Sequence, residues 1–263
     1  MSEVSTPRAD SAKYQSLFAD YKARVEPFHG EDLGIRLEHH FECLSDWSIF
    51  HSLDEVKDWF DAIRADSRME VEDIALKECR DWLVDEETGD LSHASGEFFR
   101  VHGVRVTTHF REAPGGWDQP ILTQVGYDGG LLGILRKRFR GIPHYLIEAK
   151  CEPGNYKVVQ LSPTLQATFS NLKRAHSGRK PAFSSFFETP EQEGCTVLYD
   201  QWLSEDGGRL HKKRNRGMLV EAPEDRDIEI PPRFIWLSMY QIKSLLNEDA
   251  WVNPHIRGII AHL

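Results

Sequence analysis

The stretch that decides the fold runs from residue 148 to residue 176 and reads Glu148-Ala-Lys-Cys-Glu-Pro-Gly-Asn-Tyr-Lys-Val-Val-Gln-Leu-Ser-Pro-Thr-Leu-Gln-Ala-Thr-Phe-Ser-Asn-Leu-Lys-Arg-Ala-His176. It begins as the end of a strand, turns at Pro153-Gly154-Asn155 and reaches Ser162-Pro163, where an N-cap followed by proline predicts a helix start. Polar side chains are dense along it beside apolar neighbours, as in a small-molecule site. They are Glu148, Lys150, Glu152, Asn155, Gln160, Thr164, Gln166, Thr168, Asn171, Arg174 and His176.

Composition limits the classes of protein that this chain can belong to. Its 263 residues, 40% hydrophobic and 28% charged, suffice for a buried core in one large or two small domains. The formal net charge of -10 argues against nucleic acid as a partner. Four cysteines without a CxxC pair are typical of reduced thiols in the cytosol. We therefore expect a cytoplasmic protein, and the absence of any apolar run of about 18 residues predicts no membrane span.

Periodicity predicts helices at both ends of the chain and strands in the middle. Ser52-Leu-Asp-Glu55 is a capping box, an apolar stripe follows Ala12, and further helix starts are expected at Ser238 and Asn253. Short period-two runs predict strands at 74–77, 97–101, 105–110, 121–126, 130–139, 144–151, 157–161, 195–203 and 209–220. This order predicts an α+β fold around a mixed or antiparallel sheet.

One candidate site is the alternation of Glu148, Lys150 and Glu152 on a predicted strand. Side chains two residues apart share a face of a strand, so two carboxylates and an ammonium would lie together. Such a trio can hold an acid and a base at neutral pH. The alternative is a solvated ladder of ion pairs on an exposed face, and the local pattern alone favours that alternative.

Basic residues form two further clusters with period-two spacing. Lys212, Arg214 and Arg216 would share one face of a strand and could hold a diphosphate, since arginine binds phosphate in a bidentate manner. Arg136, Arg138 and Arg140 form a similar ladder, and for both sets the alternative is a solvated edge strand.

Trp117, beside Pro114-Gly115-Gly116 in a predicted loop, is the best candidate among the tryptophans for stacking on a nucleobase. The motifs GxGxxG, GxxxxGK[ST], HExxH and GxSxG are absent. Rossmann cofactors, P-loops, zinc proteases and serine hydrolases are therefore not indicated.

Several segments resemble motifs of the NDP-hexose 2,3-dehydratase family. Trp117-Asp-Gln-Pro120 is similar to its Trp-x-Gln-Pro, and 148–155 to its Gln-Ala-Lys-x-Glu-Pro-Gly-Asn. Residues 161–171 are similar to Leu-Ser-Pro-Thr-x-Gln-Ala-Thr-x-Ser-Asn, and 213–216 to Lys-Arg-Asn-Arg. Glu148 replaces the glutamine of that motif, and the tail Asn253-Pro-His-Ile-Arg257 replaces Asn-Met-Asp-x-Arg. The resemblance covers about residues 47–262, in family order.

The resemblance implies a fold and an activity. The family consists of tandem repeats similar to the Nudix fold, and this chain is similar to a single repeat. We expect a Nudix-like mixed β-sheet flanked by helices over residues 47–263, preceded by an N-terminal helical arm over residues 1–46. The implied activity is 2,3-dehydration of a nucleotide-diphosphate 4-keto-6-deoxyhexose, without cofactor. A homodimer would reproduce the tandem arrangement.

The resemblance also implies a set of site residues. Glu152 would be the base or acid, and Lys150 would tune it and polarise the ketone. The expected substrate-binding residues are Trp117, Gln119, Glu148, Asn155, Thr164, Gln166, Thr168, Asn171, Arg174, His176, Lys213, Arg214, Asn215 and Arg216. One alternative is a non-catalytic nucleotide-sugar-binding module of the same fold. Another is a Nudix-type hydrolase, but the Nudix box with its paired glutamates is absent, so no metal is implied.

Overall fold

The computed structural model describes residues 9–28, 33–109, 114–124, 129–172 and 180–263. Its helices are α1 (Ser11–Val25), α2 (Gly34–Glu42), α3 (Leu53–Ala65), α4 (Phe169–Leu172), α5 (Ser184–Glu188), α6 (Met239–Leu245) and α7 (Pro254–Ile260). Its strands are β1 (Trp82–Val84), β2 (Leu91–His93), β3 (Arg100–Val106), β4 (Trp117–Thr123), β5 (Gly130–Phe139), β6 (Ile142–Cys151), β7 (Val159–Pro163), β8 (Leu165–Thr168), β9 (Thr196–Ser204), β10 (Arg214–Ala222) and β11 (Phe234–Leu237). Within these residues no helix has the length and apolar character to cross a bilayer.

The strands form two sheets, and the predicted α+β class is confirmed. β1 to β4 make a four-stranded antiparallel sheet in sequence order. The larger sheet has seven strands in the order β11-β6-β5-β10-β9, with β7 on β6 and β8 on β5. Its β5–β10 pair is parallel, so the sheet is mixed. Leu122 of β4 forms an isolated bridge to Leu210, which lies in the segment between β9 and β10 of the larger sheet.

The larger sheet splits at one point, and Thr164 lies at the split. β5 and β6 pair only as far as Leu135 and Leu146, after which β6 pairs with β7 and β5 with β8. The hydroxyl of Thr164 accepts a hydrogen bond of 2.8 Å from Leu135 N and donates one to Leu146 O. The buried side chain thus replaces the ladder bonds that the two diverging strands lose.

The helix expected at Ser162 and the strand expected at 74–77 are predictions that the structure contradicts. Ser162 and Pro163 are the last residues of β7, β8 follows at Leu165–Thr168, and the helix begins only at Phe169. The Ser-Pro signal fails because Ser162 pairs with Glu148 in the β6–β7 ladder and its hydroxyl bonds to Gln166 instead of capping a helix. The strand expected at 74–77 is also absent, because Ile74 and Leu76 are exposed and find no partner strand among the described residues.

Helices cover both faces of the larger sheet. On one face, Phe60 of α3, Ile242 of α6 and Ile259 of α7 belong to the same buried cluster as Ile147 of β6. On the other face, Phe187 of α5 packs in a second cluster with strand residues. The helix starts expected at Ser52, Ser238 and Asn253 are confirmed, because each of these residues caps its helix.

A buried ion network joins the N-terminal helices to the sheet. Arg136 of β5, only 1% exposed, donates to Glu38 (2.6 Å) and Glu42 (3.1 Å) of α2 and to Glu221 of β10. Burial raises the pKa of Glu42 to about 7, and the charge of Arg136 opposes this rise. The prediction of an anion site along the arginine ladder that begins at Arg136 is therefore wrong, because carboxylates of the protein itself already neutralise the charge of Arg136.

The other members of that ladder support the same correction. Arg138 donates to both carboxylate oxygens of Glu38 at 2.7 Å. Arg140 lies in the turn after β5, where its φ of 54° takes it off the strand. The division of the chain at residue 46 stays a prediction, although Glu38 and Glu42 tie the segment before it to the sheet.

Replacing Arg136 tests the network. Arg136→Met should lower the free energy of unfolding by about 3–5 kcal/mol, because it leaves the carboxylates of Glu38, Glu42 and Glu221 without their buried partner. Urea unfolding followed by circular dichroism measures the change. The control Arg105→Met breaks the exposed pair with Asp118 and should leave the midpoint unchanged. Equal midpoints for both variants would contradict a structural role for the network.

Candidate functional site

A cavity of about 550 Å³ opens beside the split in the larger sheet. The end of β6, strand β8, the start of β10 and the first turn of α7 supply most of its wall. The lining residues are Phe99, Leu132, Lys150, Cys151, Glu152, Gln166, Ala167, Thr168, Asn171, Glu205, Leu210, Lys213, Asn215 and His255. The structure therefore brings together seven of the predicted site residues: Lys150, Glu152, Gln166, Thr168, Asn171, Lys213 and Asn215.

Gln166 is the centre of the hydrogen bonds in this wall. Its side-chain Nε2 donates to Glu152 Oε1 (2.8 Å), and its backbone carbonyl accepts from Lys150 Nζ (3.0 Å). Its Oε1 accepts from Ser162 Oγ (2.7 Å) and from Asn253 Nδ2 (3.1 Å). One glutamine therefore positions both residues that were expected to be catalytic.

The predicted trio of charged residues is partly separated. Lys150 lies near the end of β6 and Glu152 just beyond it, and both line the cavity. Glu148 does not line the cavity and pairs with Phe234 and Ser162 inside the sheet. Burial raises the pKa of Glu148, the charge of Glu152 adds to this rise, and the charge of Lys150 opposes it. The alternative interpretation, a solvated ladder of ion pairs on an exposed face, is wrong because Glu148, Lys150 and Glu152 are all half-buried.

The basic segment before and within β10 presents alternate residues to opposite sides. Lys213 and Asn215 line the cavity, where Lys213 Nζ donates to Gln124 Oε1 at 2.6 Å. Burial lowers the pKa of Lys213, and the charge of Glu205 opposes this change.

The other basic residues of this segment lie away from the cavity. Arg214 stacks over Trp202 (4.4 Å to the ring centroid), and Arg216 Nε donates to Asp200 (2.7 Å). Lys212 has a φ of 52° in the turn before β10, so it is not part of the strand. The expectation of one basic face formed by Lys212, Arg214 and Arg216 is wrong, because β10 begins only at Arg214.

Other predicted site residues have contacts outside the cavity. Trp117 is the first residue of β4 and not part of a loop, and its Nε1 donates to Gln119 Oε1 at 2.7 Å. Gln119 Nε2 donates to Gly208 O at 3.0 Å. Asn155 holds the turn after β6 through a 3.1 Å bond to Val158 O, and Thr164 is buried at the split. Arg174 and His176 lie outside the described residues.

Two lining residues, His255 and Glu205, were not expected from the sequence. His255 is the second residue of α7, and its Nδ1 lies 3.7 Å from Glu205 Oε1. Burial lowers the pKa of His255, the charges of Glu205 and Glu152 oppose this change, and the charge of Lys150 adds to it. The Asn253-Pro254 signal predicted the helix and His255 lies within the tail motif 253–257, but no pattern in the sequence indicates that the first turn of this helix meets β8.

A second cavity adjoins the first. Its volume is about 600 Å³, and it shares Leu132, Glu205, Leu210 and His255 with the first cavity. In the part of the chain that the structure describes, no group of three or more His, Cys, Asp or Glu residues could hold a metal ion.

Two solved structures share a weak likeness with the chain. The C. elegans Ap4A hydrolase aligns with a TM-score of 0.28 and 10% identity, covering 50% of this chain and 94% of that chain. An ADP compounds hydrolase aligns with a TM-score of 0.33 and 13% identity, covering 62% of this chain and 82% of that chain. TM-scores this low do not establish a shared fold, and the Nudix-like form of the α+β fold stays a prediction.

Sequence relatives are much closer. Three proteins named dTDP-4-dehydro-6-deoxy-alpha-D-glucopyranose 2,3-dehydratase match, from Amycolatopsis orientalis (37% identity), Saccharopolyspora spinosa (43%) and Streptomyces violaceoruber (37%). The matches cover 80%, 68% and 84% of this chain and 44%, 36% and 47% of the relatives. The chain thus spans less than half the length of the relatives that it matches. Residues 53–263 match the family model described as NDP-hexose 2,3-dehydratase, and the chain belongs to that family.

Proposed function

We propose that this protein removes water from a nucleotide-diphosphate 4-keto-6-deoxyhexose in deoxysugar biosynthesis, with dTDP-4-keto-6-deoxyglucose as the first candidate. One observation carries the proposal: in a chain of this family, Lys150 and Glu152 converge on a cavity of about 550 Å³ through their shared contacts with Gln166. The proposed reaction needs neither a redox cofactor nor a metal.

The chemistry of the substrate determines what the site must supply. The C3 proton is acidic because it is adjacent to the C4 ketone, and the C2 hydroxyl can leave because it is β to that ketone. A base must act at C3, a donor must stabilise the C4 oxyanion, and a proton must reach the departing hydroxyl. Acid, base and cation groups in one wall satisfy this requirement.

The cavity residues can be assigned to these tasks. The ammonium of Lys150 is suited to stabilise the C4 oxyanion, and Glu152 is the first candidate for the group that exchanges a proton with the sugar, as base or acid. Thr168 and Asn171 line the cavity where they can bind sugar hydroxyls, and Lys213 is the basic residue of the 213–216 segment that can meet a diphosphate.

Incubating the purified protein with dTDP-4-keto-6-deoxyglucose, without added cofactor, tests the activity by mass spectrometry. We expect the product to have lost one water. Glu152→Gln should lower kcat/KM at least ~100-fold, because it removes a carboxylate of the cavity wall that contacts the reacting sugar, while dTDP binding is retained. The control Glu78→Gln changes an exposed carboxylate outside the cavity and should retain full activity. A fully active Glu152→Gln enzyme would remove Glu152 from the mechanism.

The same assay distinguishes a second function. A non-catalytic nucleotide-sugar-binding module is favoured by one observation, that Glu148 stands where the family motif has glutamine. Such a module would bind dTDP and leave the 4-keto sugar unchanged. Binding without loss of water would therefore replace the dehydratase proposal with this one.

The position of the basic segment predicts how it contributes to affinity. Lys213→Met should weaken dTDP binding roughly 10-fold or more, because a charged hydrogen bond to the diphosphate is lost. Arg216→Met should change the affinity little, because Arg216 faces Asp200 outside the cavity. Isothermal titration calorimetry measures both constants. The reverse order of effects would contradict the proposed orientation of the diphosphate.

We also propose a homodimer that reproduces the paired repeats of the family. Exposed apolar side chains beside and on the small sheet, among them Leu76, Leu83 and Val84, support a contact surface there. Sedimentation equilibrium should give twice the monomer mass, and a monomer at working concentration would contradict the proposal. A cytoplasmic location and the absence of nucleic-acid partners stay predictions.

A further inference from the structure

His255 faces the same cavity as Glu152, and one chain of hydrogen bonds fixes the positions of both residues. Gln166 donates to Glu152 through Nε2 and accepts from Asn253 through Oε1. Asn253 Oδ1 in turn caps α7 by accepting from the backbone N of His255 and Ile256, both at 3.1 Å. Hydrogen bonds through Asn253 and Gln166 therefore connect the first turn of α7 to Glu152.

The surroundings of His255 suit a base. Burial lowers the pKa of His255, so the neutral imidazole is the ordinary form near pH 7. Glu205 lies 3.7 Å from Nδ1 and is itself held by a hydrogen bond from Asn215. A carboxylate at this position stabilises the imidazolium once a proton has been taken up. The pair thus combines a neutral acceptor with a partner that favours its conjugate acid.

The carboxylate of Glu152 is already engaged by its neighbours. Its Oε1 already accepts a hydrogen bond from Gln166, and the ammonium of Lys150 lies in the same wall. This bond engages one of the two carboxylate oxygens of Glu152 within the protein. Glu152 is accordingly assigned to hold a sugar hydroxyl group, and the removal of the proton from carbon falls to His255.

We propose that His255 is a catalytic residue that takes the C3 proton of the sugar, and that Glu205 is the residue that positions it. The inference rests on the proposed dehydration and assigns its base.

The step balances without any further reactant. The C3–H bond breaks as the imidazole takes the proton, and the electron pair forms an enolate whose C4 oxygen faces Lys150. The enolate then re-forms the C4 ketone, the C2–C3 double bond forms and the C2–O bond breaks. The departing hydroxide takes the proton back from the imidazolium. The products are water, the unsaturated sugar and neutral His255.

Exchange of the C3 hydrogen in deuterium oxide tests the assignment, with loss of water followed in parallel. His255→Asn should slow both exchange and dehydration at least ~100-fold while dTDP affinity is retained. Glu152→Gln should retain exchange at C3 even where dehydration is slow. The control His262→Asn alters an exposed histidine outside the cavity and should match the wild type. Added imidazole should restore part of the exchange in His255→Ala, which a purely structural role would not allow.

The pH dependence tests Glu205. Activity requires neutral His255, so kcat/KM falls as the pH drops through the pKa of this residue. Glu205→Gln removes the carboxylate that favours the imidazolium, which lowers that pKa and moves the acidic limb of the profile to lower pH. Among the described residues, the other charged groups near His255 are Glu152 and Lys150, with Lys213 across the first cavity and Asp206 and Arg209 in the lining of the second. All five stay unchanged in this variant.

The outcomes separate the inference from the proposed function. Wild-type exchange in His255→Asn, or an unshifted pH profile in Glu205→Gln, would overturn the assignment of the base and leave the dehydration intact. A wild-type protein that binds dTDP but neither exchanges C3 hydrogen nor releases water would overturn the proposed function itself.

Discussion

The divergence of β5 and β6 is the constraint on which the site depends. Beyond the pair Leu135 and Leu146 each strand takes a different partner, and the hydroxyl of Thr164 bonds to the backbone at the point of separation. Buried backbone groups without a hydrogen-bond partner destabilise a sheet. A split of this kind therefore needs a side chain, here Thr164, to supply the missing hydrogen bonds. The space beside the split is open to side chains from β6, β8, β10 and α7, and these side chains form the cavity.

Gln166 converts that space into an ordered wall. A glutamine amide has two donors and an acceptor with two lone pairs, and here the side chain binds Glu152, Ser162 and Asn253 together. Its backbone also receives the ammonium of Lys150. Acidic and basic groups are thereby held in place before any substrate binds, and this preorganisation makes electrostatic stabilisation effective. At the opposite end of β5, Arg136 uses its charge to join α2 to the sheet and not to bind a ligand.

Capping residues and hydrophobic periodicity correctly predicted those helices and strands whose formation depends on neighbouring residues in the sequence. The capping boxes at Ser52 and Ser238 begin helices where expected, and the 130–139 run is a strand with those bounds. The Ser162-Pro163 signal failed because pairing with β6 competes with helix formation and wins. Likewise, the alternation of arginines along β5 could not show that Arg136 is buried, since its partners Glu38 and Glu42 lie about a hundred positions away in sequence.

By itself, the sequence determined the α+β class, the family and the residue types of one wall, including Lys150, Glu152 and Gln166. These follow from contiguous motifs, in which neighbours along the chain are also neighbours in space. Only the tertiary structure decided which basic residues face the cavity, because the start of β10 sets the alternation that turns Lys213 inward and Arg216 outward. It also brought His255 and Glu205 together from distant segments, since a contact between α7 and the end of β9 leaves no periodic pattern in sequence.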